Sequence, residues 1–279
     1  YVMDKPISMD LGGAYWERWR ESYDERRTKG FIGFDRRFKE GWHHGLTFRV
    51  EDVSIRNIDD DAPVEVKDFE GSNFLTGVKY NLGRTTTDNK WNPSRGYIWD
   101  LSYEQVYSDE AFGIVSGTHR WYKTLHEDLA ERKTILGTKI HAASIIGDAP
   151  IYEKFYMGGI GSMRGFEYRG ASTRGYPTIP GTMIPDKSRD RKDPIGSDWI
   201  FLAGSELAFP LGSDTFHGLL FVDSGAIDSG PYRVSVGTGL QILIPQWFGP
   251  VPMRFEFSFP VLKDNDDETQ VFSFSVGRL

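Results

Sequence analysis

Phe255, Phe257 and Phe259 alternate with Arg254, Glu256 and Ser258, and Phe272, Phe274 and Val276 alternate with Ser273, Ser275 and Gly277. A period of two sends successive side chains to opposite faces of an extended chain, so each segment reads as a strand with one apolar and one polar face. The pattern recurs where Phe74, Thr76, Val78, Tyr80 and Leu82 oppose Gly77, Lys79 and Asn81, and where Tyr97, Trp99, Leu101 and Tyr103 oppose Asp100, Ser102 and Glu104. Taken along the chain it predicts twelve strands, over residues 7–16, 31–38, 46–58, 74–82, 97–103, 112–124, 134–147, 199–209, 216–226, 233–244, 253–262 and 270–278. Residues 1–6 read as a turn and residues 18–29 as a polar loop. Residues 122–133 lack the apolar stripe that would make them a helix.

Alternation alone leaves the solvent on each face open. In a soluble sandwich the apolar face is the shared core; in an outer-membrane barrel it meets lipid and the polar face lines the lumen. No run of about 18 apolar residues exists, so no transmembrane helix is expected, but a barrel strand needs only about 10 alternating residues. Loop lengths favour the barrel. Residues 59–71, 148–197 and the acidic tip 263–268 fall on one side, and shorter turns around Gly41, 211–215 and 245–250 on the other. Only the link around Asn92 is longer there. Trp16, Trp19, Trp42, Trp91, Trp121, Trp199 and Trp247 stand near strand ends, where membrane interfaces collect aromatics.

Composition narrows the function. A formal net charge of −7 with no basic stripe argues against nucleic acid. The absence of cysteine excludes disulfides, thiolate metal sites and cysteine nucleophiles. His43 and His44 are adjacent, so in a strand they point apart and make poor joint metal ligands. There is no His-x-x-x-His, no Gly-x-Ser-x-Gly and no phosphate loop, so neither an enzyme nor a cofactor is expected. A soluble carbohydrate-active β-protein, with paired carboxylates among tryptophans, is the remote alternative.

Residues 148–197 form a connection too long for an ordinary compact domain unless it folds back onto something. It contains Gly158-Gly159 and then Met163-Arg164-Gly165-Phe166. Glycines permit tight turns and close approach, and Phe166 supplies an apolar anchor. Downstream, Glu206 and Asp223 sit inside the apolar segments Gly204-Ser205-Glu206-Leu207-Ala208-Phe209-Pro210 and Phe221-Val222-Asp223-Ser224-Gly225. Carboxylates there are costly without a partner, and a guanidinium fork suits two of them. The loop is therefore expected to plug a barrel lumen through Arg164, the alternative being a solvated loop arginine.

These residues resemble the BamA family, the bacterial surface antigen family, whose sixth extracellular loop carries a Gly-Gly pair and a Val/Ile-Arg-Gly-Phe/Tyr motif. Tyr23-Asp24-Glu25-Arg26-Arg27, Arg49-Val50-Glu51-Asp52-Val53-Ser54-Ile55, Asn92-Pro93-Ser94-Arg95-Gly96 and Phe155-Tyr156-Met157-Gly158-Gly159 extend the resemblance in family order. Met163 replaces the usual β-branched residue, and the final Leu279 stands where many outer-membrane proteins have an aromatic.

The resemblance implies an all-β transmembrane antiparallel barrel, residues 1–279 supplying the last twelve strands of a sixteen-stranded family barrel. The first strands and the periplasmic POTRA repeats would be absent, and a first residue other than Met fits an excised or processed piece; natural twelve-stranded closure is the alternative. It also implies that the loop arginine pairs with acids on the next two strands, here Arg164 with Glu206 and Asp223. The implied function is folding and insertion of outer-membrane proteins in a bacterial outer membrane, with accessory lipoproteins as possible partners. A passive pore or polypeptide-secretion barrel of the same superfamily is the alternative. The expected lateral seam is the last strand, with Gln270, Phe272, Phe274, Val276 and Gly277, and the expected loop hinge is Gly158 and Gly159.

Overall fold

The computed structural model describes residues 6–228, 230–244 and 251–277. Twelve strands run β1 (Ile7–Trp19), β2 (Asp24–Arg37), β3 (Trp42–Arg56), β4 (Gly71–Thr85), β5 (Gly96–Tyr107), β6 (Ala111–Glu127), β7 (Lys133–Ile146), β8 (Trp199–Pro210), β9 (Phe216–Ile227), β10 (Arg233–Ile242), β11 (Met253–Leu262) and β12 (Phe272–Val276). They form one sheet in sequence order, each strand antiparallel to the next. No pairing joins β12 to β1 among the described residues, so the sheet is not closed on itself.

The faces are inverted relative to a soluble protein. Charged side chains such as Glu25, Glu51, Arg254 and Glu256 are buried on the concave side, while Phe74, Leu101, Val115, Leu220, Phe257 and Phe272 are exposed on the convex side. A soluble sandwich would bury the apolar set, so the carbohydrate-active sandwich is not what the chain builds.

Most strand limits shift by a few residues from the sequence expectation, and two differences are instructive. Residues 18–29 are mostly strand, because β1 and β2 continue past the apolar zone. Glu17 faces Arg26, Arg18 faces Glu25, and Trp19 faces Asp24. Opposite charges across a ladder stabilise it without any apolar period, which is why the pattern read as a loop. The last strand is shorter than expected. Gln270 precedes β12 and Gly277 follows it, in a left-handed conformation at φ 116°. The expectations for residues 1–5, the turn 245–250, Trp247, Arg278 and Leu279 lie outside the described residues.

The connection 57–70 holds a short helix, α1 (Val64–Lys67). It packs with the start of the long loop against the inner wall at the loop end of the sheet. Val66, Ile151 and Tyr152 meet Val53, Ile55, Leu75, Val106, Phe112 and Ile145 there. The wall is thus apolar where the loops enter and charged deeper in.

Candidate functional site: the loop plug and its lumen anchors

The long loop turns at Gly158 and Gly159, whose φ values are 118° and 84°. A Cβ on Gly158 would lie 2.4 Å from the Glu167 carbonyl oxygen, so this is a locked turn with no room for a side chain. The Phe166 carbonyl accepts from the Gly159 N–H at 3.1 Å and closes the turn. Met163 and Phe166 are buried with Met157, Ile200, Leu202 and Ile227, forming the apolar seat of the plug. Gly165, at φ 91°, lies so close to the barrel wall that a Cβ on it would come within 3.2 Å of Ser235 and 3.3 Å of Ser258.

That seat aims Arg164 at the wall. Its Nε and Nη2 donate to Asp223 Oδ2 and Oδ1 at 2.6 and 2.8 Å, a two-pronged contact. Its Nη1 donates to Glu206 Oε2 and to Glu256 Oε1, both at 2.8 Å. The Phe221 ring lies beneath the guanidinium, 3.5 Å from its carbon. Arg254 completes the cluster by pairing with Glu206 and, at 2.8 Å, with Glu256. Burial opposes the charge on Arg164, but the hydrogen bond and field of Asp223, with Glu206 and Glu256, push its pKa well above the ordinary arginine value.

Sequence reasoning named Arg164, Glu206 and Asp223 and missed Glu256 and Arg254. Both missed residues lie on the polar face of β11, and their only signal was that one arginine and one glutamate share a face two residues apart.

A second cluster was also missed. Arg49 donates to Glu153 at 2.7 Å, Glu51 at 2.9 Å and Glu104 at 2.5 Å. Arg27 donates to Glu25 at 2.7 Å, Glu51 at 3.1 Å, Glu153 at 3.2 Å and the Tyr152 carbonyl. Tyr152 and Glu153 belong to the long loop, whereas the other members lie on β2, β3 and β5. The loop is therefore held at its start by the early strands and at its tip by β8, β9 and β11.

Of the expected seam residues, Phe272, Phe274 and Val276 lie exposed along β12. Phe274 and Phe272 stack on Phe255 and Phe257 of β11 at 4.9 and 5.3 Å. Gln270 has a different position: its backbone N–H donates to the Gly165 carbonyl at 3.1 Å, tying the plug to the β11–β12 connection. His43 and His44 point apart, toward Asp100 and Tyr80 respectively.

Residues 8–278 match the Omp85 superfamily domain. The outer membrane protein assembly factor BamA of Nitratidesulfovibrio vulgaris is 26% identical over 245 residues, covering 84% of this chain and 29% of that protein. BamA of Neisseria meningitidis serogroup B is 26% identical over 233 residues, covering 70% of this chain and 27% of that protein. The chain thus spans under a third of the length of these curated relatives. Among solved structures, BamA from Haemophilus ducreyi lacking POTRA domains 1–3 superposes with a TM-score of 0.83 at 18% identity, over 99% of this chain and 60% of that one. CdiB from Acinetobacter baumannii superposes with a TM-score of 0.62 at 11% identity, over 91% and 42%.

Proposed function

Because the chain belongs to the Omp85 superfamily, we propose that it is the barrel of an outer-membrane protein assembly factor and acts without enzymatic chemistry. It sits in the outer membrane, its convex face against lipid, and receives unfolded outer-membrane proteins as substrates; accessory lipoproteins are its expected partners. The observation that carries the reading is the inverted sheet with a docked loop plug, together with relatives that are themselves assembly factors.

The mechanism rests on edge-strand physics. An unpaired edge presents a row of backbone donors and acceptors that another strand can pair with. In hydrocarbon such an edge has no water to satisfy it and must find a partner. β12 pairs with β11 over only five residues, against ten between β10 (Arg233–Ile242) and β9, so it is the more readily displaced ladder. An incoming substrate strand that pairs there gains hydrogen bonds, and the outward Phe272, Phe274 and Val276 offer it an apolar guide. The plug, bonded to this connection through Gln270, couples the edge to the lumen anchors. The edges of β1 and β12 would be covered by further strands of the same barrel or by substrate.

The test is reconstitution of the full-length protein in lipid vesicles with an unfolded outer-membrane protein, with cysteine at Ser273 or Ser275 to trap a substrate strand. Faster folding than in empty vesicles, with cross-links at β12, is expected. Vesicles that conduct ions or pass polypeptide, yet fold barrels no faster than empty ones, would favour the passive pore or secretion barrel.

A further inference from the structure

Arg120 on β6 and Lys139 on β7 are direct cross-strand partners, and both line the lumen cavity under the plug tip. Like charges directly opposite each other on neighbouring strands repel. Among the described residues neither one makes an ion pair, and Asp223, which lies across Gly204 from Lys139, is bound to Arg164 instead. Lys139 Nζ donates to the Gly161 carbonyl at 2.8 Å, a neutral acceptor on the plug. Arg120 Nε is buried without a hydrogen-bond partner. The next acids are already engaged: Asp223 holds two nitrogens of Arg164, and Asp100, one step along the wall, faces His43.

The cavity between them, about 80 Å³, has room for one small anion or a few waters. Its rim carries Gly161, Ser162 and Arg164 from the plug, and Gly204 between Lys139 and Asp223 has no side chain, so the Asp223 carboxylate lies close against the wall, where a Cβ would meet its Oδ1 at 2.9 Å. Counting charges settles the class of ligand. Arg120, Lys139, Arg164 and Arg254 face Glu206, Asp223 and Glu256, so four cations meet three carboxylates and one positive charge is left over. A monoanion balances it; a dianion overshoots. A guanidinium beside an ammonium, with planar donors on one side, matches a carboxylate.

The geometry points to a carboxylate-binding site at Arg120 and Lys139, between the barrel wall and the plug. Its occupant is either a free small carboxylate or the carboxylate of a polypeptide. A bound carboxylate would bridge two strands and lie against the plug tip, so it stabilises the docked loop. The site stands on the charge count and geometry and does not depend on the assembly reading.

The experiment uses the full-length protein in nanodiscs, melted by tryptophan fluorescence while acetate replaces chloride at constant ionic strength. Saturable stabilisation by acetate is expected, with apparent affinity falling about ten-fold in R120Q and in K139Q, as loss of one charged hydrogen bond implies. R120Q should melt no lower than the parent in chloride, because it removes the repulsion, and a single cooperative melt in both variants shows that they fold. A pentapeptide of uncharged side chains is then compared as free acid and as C-terminal amide. Activity of the free acid alone assigns the site to polypeptide carboxylates; acetate binding with no peptide effect assigns it to free anions. Acetate acting no differently from chloride, or equally on parent and variants, overturns the site.

Discussion

Arg164 is the side chain whose loss should cost most. Arg164→Ala leaves Asp223 with neither prong of its partner and Glu206 and Glu256 with Arg254 alone. Removing one member of a buried charge cluster costs roughly 3–5 kcal/mol, so the midpoint of urea unfolding in lipid vesicles should fall accordingly. Arg164→Lys should recover only part, since an ammonium cannot make the fork to Asp223. A second residue-scale expectation concerns Asp193, buried in the long loop. Burial, aided by Asp59 and Asp61 against Lys192, pushes its carboxyl above the ordinary value. The folded loop therefore holds this proton to a higher pH than the unfolded loop does. This contribution is full below the unfolded value and is lost as pH rises through the folded one. Limited proteolysis of residues 148–197 should quicken as pH rises from about 4 toward neutrality, and Asp193→Asn should flatten that rise. Glu21, raised by burial and then by Glu268 and Asp193, acts in the same direction. What the sequence disclosed at this scale follows from contrast. Glu206 and Asp223 stood out because apolar neighbours surround them, whereas Arg254 and Glu256 lay in a regular polar alternation and looked like any wetted face.

The long loop is the element that organises the lumen, and it is anchored twice. Its tip is held by β8, β9 and β11 and its start by β2, β3 and β5, through Glu153. Arg49→Gln leaves Glu104 without its cation and Glu51 and Glu153 with Arg27 alone, and should cost about 3–5 kcal/mol. The expected signature is protease cleavage near residues 147–155, while Arg164→Ala exposes the tip around residues 158–166. The two clusters share no partner, so the double variant should be additive within about 0.5 kcal/mol; strong coupling would mean that the loop undocks as one unit. At this scale the sequence was clearest where one face of a strand is apolar and least clear where both are polar. β4, β5 and β11 could be read from their period of two, but the ends of β1 and β2 could not, because cross-strand charge pairs such as Arg18 opposite Glu25 leave no hydrophobic trace. The start of the loop was hidden for the same reason, since Glu153 acquires its meaning only from strands more than a hundred residues earlier.

For the whole molecule, the decisive quantity is which face meets which solvent, and a charge placed on the convex face measures it. Sequence alternation supplied the two faces without their assignment; the buried arginine clusters made it, by turning the polar face inward. Trp42, Trp91 and Trp121 lie toward one end of the strands, and Trp19 and Trp199 toward the other, as two interfacial girdles require. Between those ends, Leu220 is half exposed on the convex face of β9, flanked in register by Leu207 and Thr238. Were this face in water, Leu220→Arg would change stability by no more than about 0.5 kcal/mol, as ordinary surface substitutions do. Facing lipid near the middle of the strand, it should cost about 2–4 kcal/mol, while Phe216→Arg at the strand end should cost about 0–1 kcal/mol. Urea unfolding of both variants in lipid vesicles checks the gradient. A depth-dependent loss places β9 across the bilayer with its convex side to lipid; equal and negligible losses at the two positions would mean that this face is not in a membrane, and the assembly reading would lose its premise.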